Sequence, residues 1–318
     1  MSFKVIGIGE AVWDLMPAGK QLGGAPVNFA YHARSFGADA GVVTRVGDDS
    51  FGREILERFK DMKIAAGLVQ VDPAKPTGTV VVTLHDGGVP QFTISEDVAW
   101  DRLVPTDAAV KAVREADAVC FGSLAQRHSI SRLAIQQLLA ATPADALRMC
   151  DINLRQKFYS REIIEQSLRL ANGLKLNDEE LSILTGMFSL PGDVRRQISW
   201  LLRTFGLKLV VLTRGPRGSL IYMEDRWSEQ PPQSVQVIDT VGAGDSFTAA
   251  LVMGLLNKMD LDEVHAIAAE VARYVCSQAG ATPRSPETFR SKFNNPVFLP
   301  EPEKAVLACS GEVNLKHD

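Results

Sequence analysis

Residues 239–251 read Asp-Thr-Val-Gly-Ala-Gly-Asp-Ser-Phe-Thr-Ala-Ala-Leu, the most informative stretch of the chain. A Gly-Ala-Gly turn comes directly before an apolar run, residues 245–256, that predicts a buried helix. Glycine lets successive backbone N–H groups point at one spot, and the N-terminus of a helix carries about half a positive charge. The pattern therefore predicts an anion site, with the carboxylate of Asp245 beside it in position to accept a proton from a substrate hydroxyl.

A purely structural interpretation of the same stretch stays open, because Asp is a good residue for the start of a helix and Gly-rich turns are common. The stretch also contains part of a dinucleotide-binding fingerprint, but Phe247 stands where the third glycine should be, so that reading fails. The sequence has no Gly-x4-Gly-Lys-Ser/Thr motif, which excludes a P-loop. Any phosphate is therefore bound without a Walker lysine.

Composition limits the classes of function. The chain has 318 residues, enough for one large α/β domain or two ordinary ones, with 46% hydrophobic and 23% charged residues. The net charge of −4 gives no basic field, so we expect neither nucleic acid nor membrane as a partner. The four cysteines are widely spaced, and the apolar run at residues 3–8 is too short for a signal peptide. These features predict free thiols and a cytoplasmic protein.

Buried strands alternate with helical segments along most of the chain, which predicts an α/β fold with a mainly parallel central sheet flanked by helices. Residues 76–94 break this alternation. Two β-rich runs, Thr79–His85 and Gln91–Ile94, are joined by Asp86-Gly87-Gly88, a strong hairpin signal. We interpret this hairpin as an excursion from the main sheet that can cover a cleft.

Polar side chains follow several of the predicted strands, at the edge where parallel sheets bind ligands. Asp14 and Asn28, on either side of Gly23-Gly24, offer the acceptor and donor that polyol hydroxyls need, although a turn and a helix start explain them as well. Arg155 lies just past the strand at residues 147–151. Asn177 and its acidic neighbours follow the next strand, either to attract a divalent metal through water or to cap a helix.

The most apolar strand, residues 207–213, breaks into Arg214-Gly-Pro-Arg-Gly218. Thr213, Gly215 and Gly218 suit a loop that lies against a nucleotide, and a plain strand–turn–strand is the simpler alternative. Trp13 and Trp100 are candidates to cover the apolar face of a sugar, and core packing explains them equally well.

Two motifs far apart in the sequence carry a family resemblance. The first is Gly23-Gly-Ala-Pro-Val-Asn28 with Gly47-Asp-Asp-Ser-Phe-Gly52, and the second is the stretch from Asp239 to Phe247. With both, the chain resembles the ribokinase-like (PfkB) carbohydrate kinases to about residue 293, and within them the bacterial fructokinases. It departs from many members at Glu10, where they have Asp or Ser, and at Ile152, where proline is usual.

The resemblance implies a ribokinase-like three-layer fold. One kinase domain would span residues 1–300, with a small β lid formed by segments at about 11–22 and 76–97, and residues 301–318 would be a peripheral tail. The implied activity is transfer of the ATP γ-phosphoryl group to a primary hydroxyl of a monosaccharide, D-fructose to fructose 6-phosphate. The alternatives are 2-keto-3-deoxygluconate kinase, ribokinase, or a non-catalytic sugar or nucleotide sensor of the same fold.

The resemblance also implies a role for each matching residue. It makes Asp245 the catalytic base and the backbone amides of Gly242, Ala243 and Gly244 the anion hole. It assigns Asp14, Gly24, Asn28 and Arg155 to the sugar, and Thr213, Gly215 and Gly218 to the nucleotide. It gives Asn177 and Glu180 to Mg²⁺ through water, and Asp239 with the Val241 carbonyl to a monovalent cation, K⁺. A homodimer through the lid is a further expectation.

Overall fold

The computed structural model describes residues 2–16, 19–84 and 90–294. Its strands form two sheets, one of nine strands and one of four. The strands are β1 (Lys4–Ile8), β2 (Val12–Met16), β3 (Gly19–Gly23), β4 (Asp39–Gly47), β5 (Val69–Asp72), β6 (Gly78–Leu84), β7 (Pro90–Ile94), β8 (Ala118–Phe121), β9 (Leu147–Asp151), β10 (Gly173–Asn177), β11 (Leu209–Thr213), β12 (Ser219–Met223) and β13 (Arg226–Gln230). The predicted turn at Asp86–Gly88 and the tail at 301–318 lie outside the described residues.

The nine-stranded sheet has the order β13-β12-β11-β10-β9-β8-β1-β4-β5. The pairs from β11 through β1 to β5 are parallel, and β12 and β13 add an antiparallel edge. The prediction of a mainly parallel sheet is confirmed. The order of strands reverses at β1, so the carboxyl ends of β1 and its neighbour β8 flank the crevice in which such sheets bind ligands.

Helices cover both faces of this sheet. Successive side chains of a strand point to opposite faces, so Val5 belongs to one apolar cluster and Ile6 to another. The helices are α1 (Ala25–Ser35), α2 (Ser50–Asp61), α3 (Asp107–Arg114), α4 (Ser129–Ala141), α5 (Arg161–Leu170), α6 (Asp178–Phe188), α7 (Val194–Phe205), α8 (Ala243–Leu256), α9 (Leu261–Cys276) and α10 (Glu287–Asn294). In the described part of the chain, none has the length and apolar content needed to cross a bilayer.

Helix α8 is buried along most of its length, from Ser246 to Gly254, as the apolar run predicts. It packs between α1 and α9 on one face of the sheet. The helix begins at Ala243, two residues earlier than the sequence analysis places it, so Gly242 alone makes the turn, with φ 78°. The N–H groups of the next residues therefore already belong to the first helical turn and have no partner within the helix.

The smaller sheet has the order β3-β2-β6-β7. β6 and β7 pair antiparallel, as the hairpin signal predicts, and β2 joins β6 in parallel. The two segments that the resemblance assigns to a lid thus form one sheet, outside the main one. Whether this sheet acts as a lid stays a prediction.

The Gly47–Gly52 motif anchors the base of the smaller sheet. One oxygen of Asp49 accepts hydrogen bonds from the Gly52 amide at 2.7 Å and the Thr77 hydroxyl at 2.7 Å, and the other accepts from the Thr77 amide at 2.8 Å. Thr77 directly precedes β6. The motif is thus a joint that ties the start of β6 to the start of α2.

A buried ion pair forms a second joint between the sheets. The guanidinium of Arg127 contacts both oxygens of Asp101 at 2.8 Å and donates to the Ser95 carbonyl, just past β7, at 2.6 Å. Its charge lies 4.0 Å from the ring centre of Trp100 and 4.6 Å from that of Phe158. Trp100 and Trp13 are both buried, and this favours core packing over contact with a sugar.

Candidate active site

The site centres on a hydrogen bond between two helices whose N-termini lie next to each other. The side-chain amide of Asn28, in the first turn of α1, donates to Oδ2 of Asp245, in the first turn of α8, at 2.8 Å. Both helices start at a glycine, Gly24 and Gly242, and neither has a side-chain cap. The positive ends of the two helices thus meet at one carboxylate, an arrangement suited to bind an anion next to a base.

The Gly23-Gly24 pair is explained by what lies against it. A Cβ atom at position 23 would lie 2.4 Å from Oδ2 of Asp14, and one at position 24 would lie 2.4 Å from the carbonyl oxygen of Glu10. Gly24 also has φ 107°, a conformation that side chains rarely adopt. The glycines let the carboxylate of Asp14 and the backbone past β1 approach the start of α1 closely.

Gly242 has a similar explanation. A Cβ atom at this position would lie 2.5 Å from the carbonyl oxygen of Ala281 and 2.7 Å from its Cα. The same carbonyl accepts a hydrogen bond from the buried ring of His32 at 2.9 Å, and this bond connects α1 to the loop after α9. The start of α8 is therefore held against α1 from two sides.

Three carboxyl groups of the site lie within reach of the charge of Arg155. Burial raises the pKa of Glu10 to about 7 and the pKa of Asp14 to about 6, and the Arg155 charge opposes both shifts. Burial and the charge of Asp151 raise the pKa of Asp245 to about 6, against the Asn28 hydrogen bond and nearby positive charges that include Arg155. The structure thus brings Asp14, Asn28, Arg155 and Asp245 together at one edge of the sheet.

Glu10 is a member of this group that the sequence analysis assigns no role. It is 4% exposed, and its Oε2 has no hydrogen-bond partner among the described residues. Because the pKa is about 4.5 in the unfolded chain and about 7 in the folded one, the folded state retains a proton that the unfolded state releases. The free energy of unfolding therefore falls as the pH rises through this window.

Glu10→Gln should remove this loss, because a neutral amide cannot ionise. We expect the variant to gain stability relative to the parent between pH 5 and pH 7.5, reaching about 3 kcal/mol. Urea unfolding at a series of pH values measures the difference, with the exposed Glu57→Gln as a control that shows no such trend. A difference that does not change with pH would mean that Glu10 is already ionised in the folded protein.

Asn177 and Glu180 form a capping box at the start of α6. Asn177 Oδ1 accepts from the Glu180 amide at 2.9 Å, and Glu180 Oε2 accepts from the Asn177 amide at 2.8 Å. The other oxygen of Glu180 accepts from the Leu154 amide at 2.9 Å, so the side chain also fixes the loop that carries Arg155. Of the two interpretations of these residues, helix capping is the one that matches the contacts they make.

These contacts limit how Mg²⁺ fits here. Glu180 is 4% exposed and both its oxygens accept backbone hydrogen bonds, so its carboxylate already holds the start of α6 and the loop of Arg155. No group of three His, Cys, Asp or Glu side chains in the described ranges could hold a metal ion. A Mg²⁺ ion in this site would therefore be held mainly by substrate phosphates and water, which suits its chemistry.

The predicted nucleotide residues lie next to this capping box. Thr213 ends β11 and pairs in register with Asn177 at the end of β10. Gly215 and Gly218 follow with φ of 54° and 86°, on either side of a single 3-10 turn. The next strand, β12, pairs antiparallel with β11, so the local structure is a strand–turn–strand. Its loop lies at the same edge of the sheet as Asp245.

Asp239 connects two loops. Its Oδ1 accepts from the Val241 amide at 3.0 Å, and its Oδ2 accepts from the Gly280 amide at 3.1 Å. Val241 is exposed beside it. The carboxylate therefore braces the approach to α8 against the loop after α9, and its role toward a monovalent cation stays a prediction.

A buried ion pair that was not predicted from the sequence lies next to Asp245. The ammonium of Lys175 in β10 contacts both oxygens of Asp151, at the end of β9, at 3.1 and 3.0 Å. The signal that could have found it is the sequence Leu-Lys-Leu, which puts a charge inside a strand buried on both faces.

Sequence comparisons with known proteins give a family match. The family model described as pfkB family carbohydrate kinase matches residues 10–288. A fructokinase of Klebsiella pneumoniae is 31% identical over 283 residues, which cover 86% of this chain and 91% of the relative.

Solved structures give the same result for the fold. A sugar kinase of Pyrococcus horikoshii in complex with ATP superposes with a TM-score of 0.75 at 26% identity, over 91% of this chain and 99% of that one. A 2-dehydro-3-deoxygluconokinase of Thermotoga maritima superposes with a TM-score of 0.78 at 16% identity, over 93% and 99%. The second likeness concerns the fold alone.

Proposed function

The chain belongs to the pfkB family of carbohydrate kinases, and we propose that it phosphorylates D-fructose with ATP to give fructose 6-phosphate. It is a sugar phosphotransferase with ATP and a sugar as its small-molecule substrates. The hydrogen bond from Asn28 to Asp245 between two uncapped helix starts carries the proposal, because it puts a base beside an anion site. The 31% identity to a fructokinase supports the choice of sugar.

In the proposed reaction, Asp245 accepts the proton of the primary hydroxyl as that oxygen attacks the γ-phosphorus, the bond to the bridging oxygen breaks and ADP leaves. The amides of Gly242, Ala243 and Gly244 donate to the transferred phosphoryl oxygens, where helix α8 adds its positive end. Asp14 accepts hydrogen bonds from the other sugar hydroxyls and Asn28 donates to them. Arg155 approaches the sugar or the phosphates from the loop after β9. These roles use the side chains that meet at one sheet edge.

The nucleotide would lie along Thr213, Gly215 and Gly218. Mg²⁺ bound to the phosphates would offset their negative charge, with Asn177 and Glu180 acting through water. We also propose that K⁺ binds at Asp239 and the Val241 carbonyl. If so, the rate of the kinase reaction should rise when Na⁺ is replaced by K⁺. A rate that is the same in both salts contradicts it.

The smaller sheet is proposed as a lid that keeps water from the phosphoryl group. The side chain of Gln156, one residue after Arg155, donates to the carbonyl of Phe92 in β7 at 2.6 Å, so the sheet contacts the loop that carries Arg155. Val81 and Phe92 on this sheet are exposed apolar side chains, which supports a homodimer through the lid. A sedimentation experiment that finds only monomer at assay concentrations contradicts the dimer.

A kinase for 2-keto-3-deoxygluconate or for ribose is the alternative within the family, because the chain departs from the family pattern at Glu10, beside the proposed sugar site. A non-catalytic sensor is the alternative outside it. Against the sensor stands Asp245, since a protein that only binds sugar has no use for a half-buried base with a raised pKa.

The first experiment is ADP release from Mg-ATP with fructose, ribose, 2-keto-3-deoxygluconate, glucose and adenosine, and with no sugar. We expect rapid turnover with fructose and little in the other five reactions. A different preferred sugar would keep the kinase and replace the substrate. No turnover with any sugar, in a protein whose melting temperature rises with ATP, would favour the sensor.

A further inference from the structure

Lys175 lies at a position where burying a charge costs free energy. It is the middle residue of β10, between Leu174 and Leu176, with strands on both sides and 7% of its surface exposed. Burying an ammonium costs several kcal/mol unless a partner and hydrogen bonds compensate for the lost water. A hydrophobic residue of similar length would fill the same place at less cost. The charge therefore calls for an explanation beyond packing.

Its partner, Asp151, is 3% exposed and occupies the equivalent position on the neighbouring strand. The hydroxyl of Thr248 on α8 lies 3.4 Å from Oδ2 of Asp151 and donates to the Gly244 carbonyl at 2.9 Å. Asp151, Thr248 and Asp245 all line one small cavity at the start of α8. The ion pair thus lies directly behind the proposed base.

Gly244 shows how close the ammonium comes to the anion turn. A Cβ atom at this position would lie 2.7 Å from Nζ of Lys175, so the ammonium lies against the Cα of Gly244. Because Gly244 supplies one of the amides of the proposed anion hole, the positive charge lies on the inner side of that hole. It adds to the positive end of α8 where negative charge would gather.

Several charged groups face Asp245. Asp151 and Lys175 lie on strands, Glu10 lies just past β1, and Arg155 lies on the loop after β9. The buried thiol of Cys120 lies near on β8. The charge of Asp151 raises the pKa of Asp245, whereas those of Lys175 and Arg155 lower it. Burial by itself would lower the pKa of Lys175, but Asp151, Glu180 and Asp245 keep it raised, so the ammonium stays charged.

We propose that Lys175 and Asp151 act together as positioning residues for phosphoryl transfer, fixing the first turn of α8 and balancing the charge beside Asp245. Neither residue contacts the sugar in this scheme. Asp151 holds the ammonium behind Gly244, and Lys175 offsets the negative charge that Asp151 puts next to the base. This inference rests on the proposed kinase activity.

The test compares Lys175→Met, Asp151→Asn and the double variant with the parent protein. The readout is the acid limb of the pH profile of kcat/KM for whichever sugar the parent turns over. Lys175→Met should move the acid limb to higher pH by about one unit, and Asp151→Asn should move it to lower pH by a similar amount. The ionisation of ATP is common to all variants and cancels in the comparison.

Opposite shifts would support the proposal, since a purely structural role changes stability or rate but not the direction of a titration. Shifts in the same direction, or none, in folded variants would overturn it. Lys208→Met, an exposed lysine at the far end of neighbouring β11, is the matched control and should leave the profile unchanged. If Lys175→Met does not fold, Asp151→Asn and the double variant decide, because removing both charges is often tolerated.

A second measurement separates this inference from the proposed function. The pH titration of the Asp245 carboxyl carbon, followed by NMR without substrate, should show the same opposite shifts. A parent protein that turns over no sugar would refute the proposed function while leaving this titration valid. If the parent turns over sugar but the variants show no shifts in either measurement, the positioning role alone is refuted.

Discussion

Asp245→Asn should lower kcat by about 10² to 10⁴, the range expected when a general base is removed. The amide has nearly the size of the carboxylate and can still pair with Asn28, whose own amide donates at 2.8 Å in the parent. ATP affinity should stay nearly intact, because the amides of the helix start are backbone groups. The measurement is steady-state turnover at pH 8, above the pKa of about 6, where the parent base is ionised.

The matched control is Asp107→Asn, which removes an exposed acid from the first turn of α3. Both substitutions remove one charge from a helix start, so a general effect of helix charge would appear in both. We expect the control to keep its full rate. If Asp245→Asn keeps most of its rate, another group accepts the proton and the proposed mechanism is wrong.

Arg127→Met should lower the free energy of unfolding by about 3 to 5 kcal/mol, the cost of leaving one partner of a buried ion pair alone. Asp101 is 2% exposed and would lose the guanidinium that contacts both its oxygens, with no water to replace it. The variant also loses the contacts of that charge with the rings of Trp100 and Phe158. Urea unfolding of the whole chain measures the loss.

The control for this variant is Arg53→Met. Arg53 pairs with Asp48 at 3.2 Å, but both side chains are 64% exposed, so water screens the pair and its removal should cost less than about 1 kcal/mol. The double variant of Arg127→Met and Asp101→Asn should recover part of the stability, since it leaves no buried charge unpaired. An equal loss in Arg127→Met and Arg53→Met would mean that water reaches the pair.

Local patterns predicted much of this fold. The apolar runs gave the parallel strands because strands buried on both faces leave a continuous signal, and the β6–β7 hairpin followed from turn residues between two β-rich runs. The start of α8 was misplaced by two residues because Ala243 and Gly244 are compatible with either a turn or a helix. The antiparallel strand β13 was missed because Arg226–Gln230 is largely polar, as suits an edge strand.

The site was predictable only where a motif carried it. Asn28 and Asp245 were both predicted, yet nothing in the sequence shows that two residues on distant helices share a hydrogen bond. The pair of Lys175 and Asp151 was missed for the same reason, because a contact between neighbouring strands depends on register. Glu180 has two functions that a motif cannot separate, since a residue that caps a helix also holds the loop of Arg155.

The close packing at Gly23-Gly24 limits which substitutions this site can accept. Since Asp14 fills the space where a side chain at position 23 would go, the two positions cannot vary independently. In a combinatorial library, larger residues at position 23 should survive only alongside smaller ones at position 14, which would remove the carboxylate proposed to hold the sugar. At position 24 no second substitution can make room for a side chain, because its neighbour is the backbone of Glu10. New sugar preferences would therefore have to arise elsewhere, on the smaller sheet or the loop of Arg155.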